Sequence, residues 1–223
     1  MSTTSQDPRD DRTLLRAGAA GDEQAFAVLF ERHFAATFHY ALSMLDGDDA
    51  LAQDVAQATW IKVWQHAASF RGDAQVRTWI FTILTRQVAD DRRRRRPVAV
   101  ADEELQRAHD ALRRRDPGAH AAPAAEDDAA TAQLWAAVAV ALAELPWRQR
   151  ETFVLREFEG LGYAEIATVL GTSVTVVRGQ LHRARRALAY RLRAWRPDGS
   201  FAESLAGTSA PELDDDEDGR ESP

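Results

Sequence analysis

The 223-residue chain contains no cysteine. That excludes a disulfide framework, a thiolate metal site and a thiol redox sensor within it, and suits a reducing cytosol. Long apolar runs are missing too, since no window approaches the roughly 18 consecutive apolar residues of a membrane span. The opening residues Met1 to Pro8 show no basic stretch followed by an apolar one, so no signal peptide is legible. The expectation is a soluble, cytoplasmic protein. Enzyme signatures are equally scarce. There is no glycine-rich phosphate loop, and the six histidines (33, 39, 66, 109, 120 and 182) show no metal-ligand spacing. No catalytic residue, no metal and no cofactor is expected.

Charge is present, but unevenly spread. The net charge is −7, yet residues 1–96 carry 13 basic and 13 acidic groups, residues 97–130 carry 4 and 8, residues 131–196 carry 10 and 5, and residues 197–223 carry 1 and 9. Overall acidity therefore conceals a basic segment near the C-terminal end. Seven arginines and one histidine lie between Arg178 and Arg196, with no acidic residue among them.

Periodicity is helical almost throughout. Residues 1–10 read as loose. From Asp11 to about Arg95 the pattern gives four helices, the first short, with breaks at Gly21, at Asp46-Gly47-Asp48 and around Arg71-Gly72-Asp73. Asp22 reads as the N-cap of the second helix, which is expected to bury Phe26, Leu29, Phe30 and Phe34. Asp48 or Asp49 starts the third, with Val55, Thr59 and Val63 on one stripe and Trp60 and Trp64 paired at i, i+4. The fourth runs from about Val76 through Trp79, Ile80, Ile83 and Leu84 into Arg92–Arg96, and Pro97 stops it. Residues 97–130 are rich in alanine and acidic, and Pro117, Gly118 and Pro123 mark them as a linker. Helical pattern resumes at Thr131, with Leu134, Val138, Ala141, Leu142 and Leu145 on one face. Pro146 opens the next helix, which is expected to bury Phe153, Val154, Leu155 and Phe158 before Gly160 ends it.

Next in the chain is a helix-turn-helix. Tyr163 to Leu170 forms a short helix with Ile166, Ala167 and Leu170 on one face, Gly171 supplies the turn, and Ser173 caps the second helix. On that second helix Val174, Val177, Leu181, Ala184 and Leu188 make the buried stripe. Thr175, Arg178, Gly179, His182 and Arg186 fall on the opposite face, which a recognition helix would present to the major groove. A basic helical face alone is usually just a solvated face; the turn, the cap and the preceding helix favour DNA.

These residues carry a family resemblance. Asp22 to Phe26, Ala52 to Gln57, Ser69 to Asp73, Arg77 to Trp79 and the arginine run, followed by Leu145 to Glu151, Glu159 to Ala167 and Val177 to Arg185, resemble the extracytoplasmic-function class of bacterial RNA polymerase sigma factors. The resemblance covers residues 11–95 and 131–193. It implies an all-α fold of two small helical domains joined by a flexible linker, with a polymerase- and −10-binding domain over 11–96 and a −35-binding helix-turn-helix domain over 131–196. An N-terminal stretch 1–10, a linker 97–130 and a disordered acidic tail 197–223 complete the division.

By that resemblance Asp54, Gln57 and Lys62 would face the clamp helices of the largest polymerase subunit. Phe70, Arg71, Gly72, Asp73 and Gln75 would capture a flipped-out base of the −10 element, with Arg77, Trp79 and Arg86 along the melted strand and Arg93 and Arg94 on its backbone. Thr175, Arg178, Gly179, His182, Arg183 and Arg186 would meet the −35 element, with Arg150 a further backbone contact. Implied partners are core RNA polymerase, including the flap of its second-largest subunit, promoter DNA and an anti-sigma factor. Departures from the common pattern are Gln53 and Ala58 where glutamate is usual, Thr82, Thr85 and Arg86 on the fourth helix, and Gly179-Gln180 on the recognition helix. The alternatives are a stand-alone helix-turn-helix regulator of operator DNA and an interaction protein whose N-terminal helices only bind a partner.

The acidic tail lies outside the shared motifs. Solvation is its simplest role; the sharper reading has Asp214 to Asp218 compete with DNA for the arginine face. Deleting residues 198–223 is then expected to tighten DNA binding mainly at low ionic strength, where exposed charges are least screened. Equal affinity at every salt concentration would end that idea.

Overall fold

A computed structural model of the chain describes residues 7–95 and 127–195. Most of the expected linker, Arg96 and the expected tail lie outside the described residues. Among the described residues the fold is entirely helical, in two units, and no helix is long and apolar enough to cross a membrane.

The first unit holds α1 (Asp11–Ala19), α2 (Glu23–Met44), α3 (Asp49–His66) and α4 (Val76–Arg95), with a 3-10 turn at Ala67–Ser69 after α3. Three of these helices begin on an aspartate whose carboxylate accepts an otherwise orphaned amide: Asp10 from Thr13, Asp22 from Ala25 and Asp48 from Leu51. Residues 7–10, expected to be loose, are tied down. Arg32 on α2 donates to the carbonyls of Asp7 and Arg9, and Arg9 pairs with Asp7 and Asp22. His33 sits 2.6 Å from Asp11 and Arg32 3.0 Å from the same carboxylate, stapling α1 to α2. The hydrogen bond from His33 is the largest influence holding the Asp11 carboxyl below its ordinary value.

The interior of this unit is aliphatic with an aromatic rim. Leu14, Leu15, Ala25, Val28, Leu29, Trp60, Val63, Val76 and Ile80 are buried together. The expected stripe of phenylalanines on α2 is only half right, since Leu29 is buried but Phe26, Phe30 and Phe34 are half-buried. Phe30 at 5.1 Å and Phe26 at 5.8 Å meet the Trp60 indole edge-on, because an aromatic edge seeks a ring face, while Phe34 stacks on Phe30 at 4.7 Å. The Trp60 indole donates to the Thr37 hydroxyl at 3.0 Å, which lets a polar ring sit fully inside. Trp64 lies over Phe26 yet remains 43 % exposed.

The second unit holds α5 (Asp127–Ala143), α6 (Trp147–Phe153), α7 (Tyr163–Leu170) and α8 (Val174–Arg191), closed by a 3-10 turn at Leu192–Trp195. Pro146 occupies the N-cap of α6, which widens into a π turn over Val154–Phe158. Gly171 terminates α7 at φ 60°, a left-handed conformation that favours glycine, and the Ser173 hydroxyl accepts the amide of Val176 to start α8. Val138, Leu142, Leu145, Phe153, Leu181, Ala184 and Leu188 form this unit's own cluster.

A third cluster belongs to both units. Tyr40, Met44, Leu51, Phe81, Leu84 and Val88 from the first share it with Val154, Leu155, Leu161, Ile166, Val169 and Val177 from the second. The sequence pattern points to two separate small cores; the chain instead seats α7 against α4.

Candidate nucleic-acid and polymerase interface

The helix-turn-helix presents its expected face. Val177, Leu181, Ala184 and Leu188 are buried and Val174 is half-buried, so Thr175, Arg178, His182, Arg183 and Arg186 stand exposed, with Gly179 half-buried among them. The Arg183 guanidinium lies beside Gly179 at a distance that would also admit a side chain there. Two further arginines are committed elsewhere. Arg185 pairs with Glu157 at 2.6 Å and Arg191 with Glu144 at 2.7 Å, so both brace α8 against the rest of its unit.

The −10 candidates gather on one side of the first unit. Phe70, half-buried, stacks at a tilt against Trp79 at 5.3 Å, and both pack on the first core. Arg71, Asp73 and Gln75 are exposed around them, and Gly72 turns the loop at φ 84°. The Arg12 guanidinium lies against Gly72, so closely that a methyl group there would collide with it. Sequence reasoning misses Arg12, because α1 and this loop are neighbours only in the fold. Along α4, Arg86, Arg93 and Arg94 are exposed; Arg93 pairs with Asp90 and Arg95 with Asp91 one turn earlier. Arg92 lies over the Trp147 ring at 4.2 Å, a cation–π contact reaching into the second unit.

The polymerase candidates lie on α3. Asp54 and Gln57 are exposed and Lys62 half-buried. Ile61 at 58 % and Trp64 at 43 % exposure continue the stripe of Asp54 and Gln57 at helical spacing. Neither is among the docking residues expected from the sequence, although a large apolar side chain on the outward face was the available signal.

Two candidates are turned inward. Arg77 donates to the backbone carbonyl of Glu159 and lies 3.4 Å from its carboxylate. Arg150, expected on the −35 backbone, is 7 % exposed and pairs with Asp46 of the α2–α3 turn at 2.6 Å. The carboxylates around this junction are displaced from ordinary behaviour. Burial pushes Glu159 up to about 7, against the pull of Arg77. Burial also raises Glu151, opposed by Arg148, and raises Tyr40, whose hydroxyl faces Glu151 at 3.4 Å.

The two helical units of this chain have counterparts among known proteins. Residues 29–98 match Sigma-70 region 2 and residues 135–188 match Sigma-70, region 4. The RNA polymerase sigma-H factor of Pseudomonas aeruginosa is 32 % identical over 187 residues, covering 80 % of this chain and 91 % of that protein. The ECF RNA polymerase sigma factor SigL of Mycobacterium tuberculosis is 32 % identical over 174 residues, covering 77 % and 92 %. The solved structure of CnrH in complex with the cytosolic domain of CnrY superposes with a TM-score of 0.59 at 30 % identity, covering 82 % of this chain and 97 % of that one. With both domain matches in order and relatives aligned over most of their length, the chain belongs to the extracytoplasmic-function sigma factors of bacterial RNA polymerase.

Proposed function

We propose that this sigma factor recruits core RNA polymerase through the α3 face, reads the −35 element with α8 and holds the melted −10 strand on the α4 platform. The observation that carries this assignment is the division of chemistry between faces. The α3 stripe of Asp54, Gln57, Ile61 and Trp64 mixes polar groups with large apolar ones, as a protein docking surface does. The α8 face is basic and set on a helix-turn-helix, as a major-groove reader requires. Phe70 and Trp79 form an aromatic pair flanked by arginine, which suits unstacked bases and their phosphates. Residues 11–96 and 131–196 are the two working domains.

Bond formation is left to the polymerase, so the chain acts without catalysis, cofactor or metal, and acts in the cytoplasm where the polymerase works. An anti-sigma factor is a further partner in this reading, supported by the similarity to CnrH, whose solved structure contains the cytosolic domain of CnrY.

The deciding experiment mixes the purified chain with core polymerase and a genomic promoter library. Defined transcript starts sharing −10 and −35 sequences are expected. Tight binding to duplex without polymerase, and no starts with it, would favour the stand-alone regulator. On the promoters recovered, Arg178→Ala is expected to cost about 1–3 kcal/mol of discrimination at a single −35 position. Loss of affinity spread evenly over all sequences would make Arg178 a phosphate contact instead.

A further inference from the structure

We propose that Arg12, on α1, is a further residue of the −10 site: its guanidinium meets the phosphate backbone of the melted strand where the strand reaches the turn at Gly72. This deepens the functional reading above and rests on it.

The stability of the fold does not account for this arginine. Arg12 is the second residue of α1, and a cation in the first turn of a helix faces the positive end of the helix dipole. Stability alone favours an acidic residue there. The side chain is exposed, and no hydrogen bond or ion pair among the described residues takes up its guanidinium. The carboxylates nearest to it in sequence are committed elsewhere, Asp10 to the Thr13 amide and Asp11 to Arg32 and His33. Asp73, the residue after Gly72, is exposed and forms no ion pair with Arg12.

The fold sets that guanidinium against the candidate base-capture loop. Leu14 and Leu15 of α1 are buried in one cluster with Ala67 and Val76, and Phe70 and Trp79 pack on the same cluster. α1 is thereby fixed beside the loop that joins α3 to α4. The contacts of Asp11 with Arg32 and His33 hold α1 to α2 as well, so Arg12 projects from a rigid base. Its head lies where a Cβ at Gly72 would stand, and the glycine, at φ 84°, leaves that space open. A guanidinium carries five N–H donors in a planar fork, a shape that matches a phosphate. Gly72 follows Phe70 by two residues, so a base stacked on the Phe70 and Trp79 rings has its phosphate within a side chain's reach of Arg12. Such a contact positions the strand and carries no sequence information of its own.

The test uses core polymerase assembled with the full-length chain and, as probe, a single-stranded oligonucleotide bearing the −10 element of a promoter recovered in the transcription experiment. Binding is followed by fluorescence anisotropy from about 50 to about 300 mM salt. Arg12→Ala is expected to bind about three- to tenfold more weakly at the lowest salt, with the slope of log affinity against log salt shallower by about 0.7, the share of one phosphate on a single strand. The loss is expected to be equal for probes carrying single-base changes across the −10 element. Arg12→Lys keeps the charge and is expected to keep the wild-type slope while recovering only part of the affinity, because an ammonium cannot make the two-pronged contact. Taking a cation from the positive end of α1 leaves the helix intact, so the unfolding midpoint of Arg12→Ala is expected to be no lower than that of the wild type. Unchanged affinity and slope in Arg12→Ala would overturn the assignment. So would a loss that alters base preference at an unchanged slope, since Arg12 would then brace the loop without meeting the phosphate. If the wild-type holoenzyme bound the −10 probe no better than core polymerase alone, the functional reading itself would fall and Arg12 would lose its role with it.

Discussion

Phe81→Ala is expected to remove about 3–5 kcal/mol of unfolding free energy and to split one unfolding transition into two. Phe81 is fully buried, meets Tyr40 edge to face at 5.7 Å and carries the Arg77 guanidinium over its ring at 5.6 Å. Its cluster also contains Val154, Leu155, Leu161 and Ile166 from the other unit, so the cavity left by truncation opens in the shared core. Leu29 and Leu188, by contrast, lie in clusters confined to one unit each. Indoles report from both sides, with Trp60 and Trp79 in the first unit and Trp135 and Trp147 in the second. Urea denaturation of the wild type, followed by fluorescence and by far-ultraviolet circular dichroism, is expected to give coincident curves, the mark of one cooperative transition. In Phe81→Ala the curves should separate as each unit melts on its own cluster. A loss below about 1 kcal/mol, or coincident curves in the variant, would mean that Phe81 does not couple the units.

What could be read from the sequence was local. The caps at Asp22 and Ser173, the turn at Gly171 and the opening of α6 at Pro146 depend on a few adjacent residues, and each stands where expected. The Val55, Thr59 and Val63 stripe is buried because an unbroken α-helix keeps its phase. Phe158 shows the limit. Periodicity places it inside, yet it is 43 % exposed, because the π turn over Val154–Phe158 breaks the helical repeat and swings its last residue out of phase. Phe153, ahead of the turn, is buried as expected. The helix expected from residue 131 likewise begins earlier, at Asp127.

The candidate site divides the same way. The exposed face of α8 follows from periodicity alone, whereas the placement of Arg150 depends on Asp46, 104 residues away. Likewise Arg77 meets Glu159 across 82 residues, and nothing in the spacing of either announces the other. Closure of the two units is therefore a property of tertiary pairing between surfaces that each look, in isolation, like ordinary amphipathic helices.

Glu159 should make that closure sensitive to pH, with the opposite sign from a paired surface carboxylate. Its side chain is 5 % exposed, and burial outweighs the Arg77 guanidinium facing it from α4, raising the carboxyl from 4.5 to about 7. The closed chain consequently holds this proton more tightly than the opened or unfolded chain does. Its contribution to stability is complete below about pH 4.5 and is lost as pH climbs through about 7. Glu151, also raised by burial, acts in the same direction, whereas Asp7, Asp10, Asp11 and Asp22 are held low and lose their contributions only in more acid solution. Glutamine imitates the protonated carboxyl, so Glu159→Gln and wild type should unfold alike at pH 5. At pH 8 the variant is expected to be the more stable by about 1–3 kcal/mol, because the junction between the units then no longer encloses an ionised carboxylate. Denaturation of both proteins across pH 5–8 measures the difference. A variant less stable than wild type at pH 8 would show that the Arg77 ion pair outweighs the cost of burying the charge, and the chain would then close more firmly as pH rises.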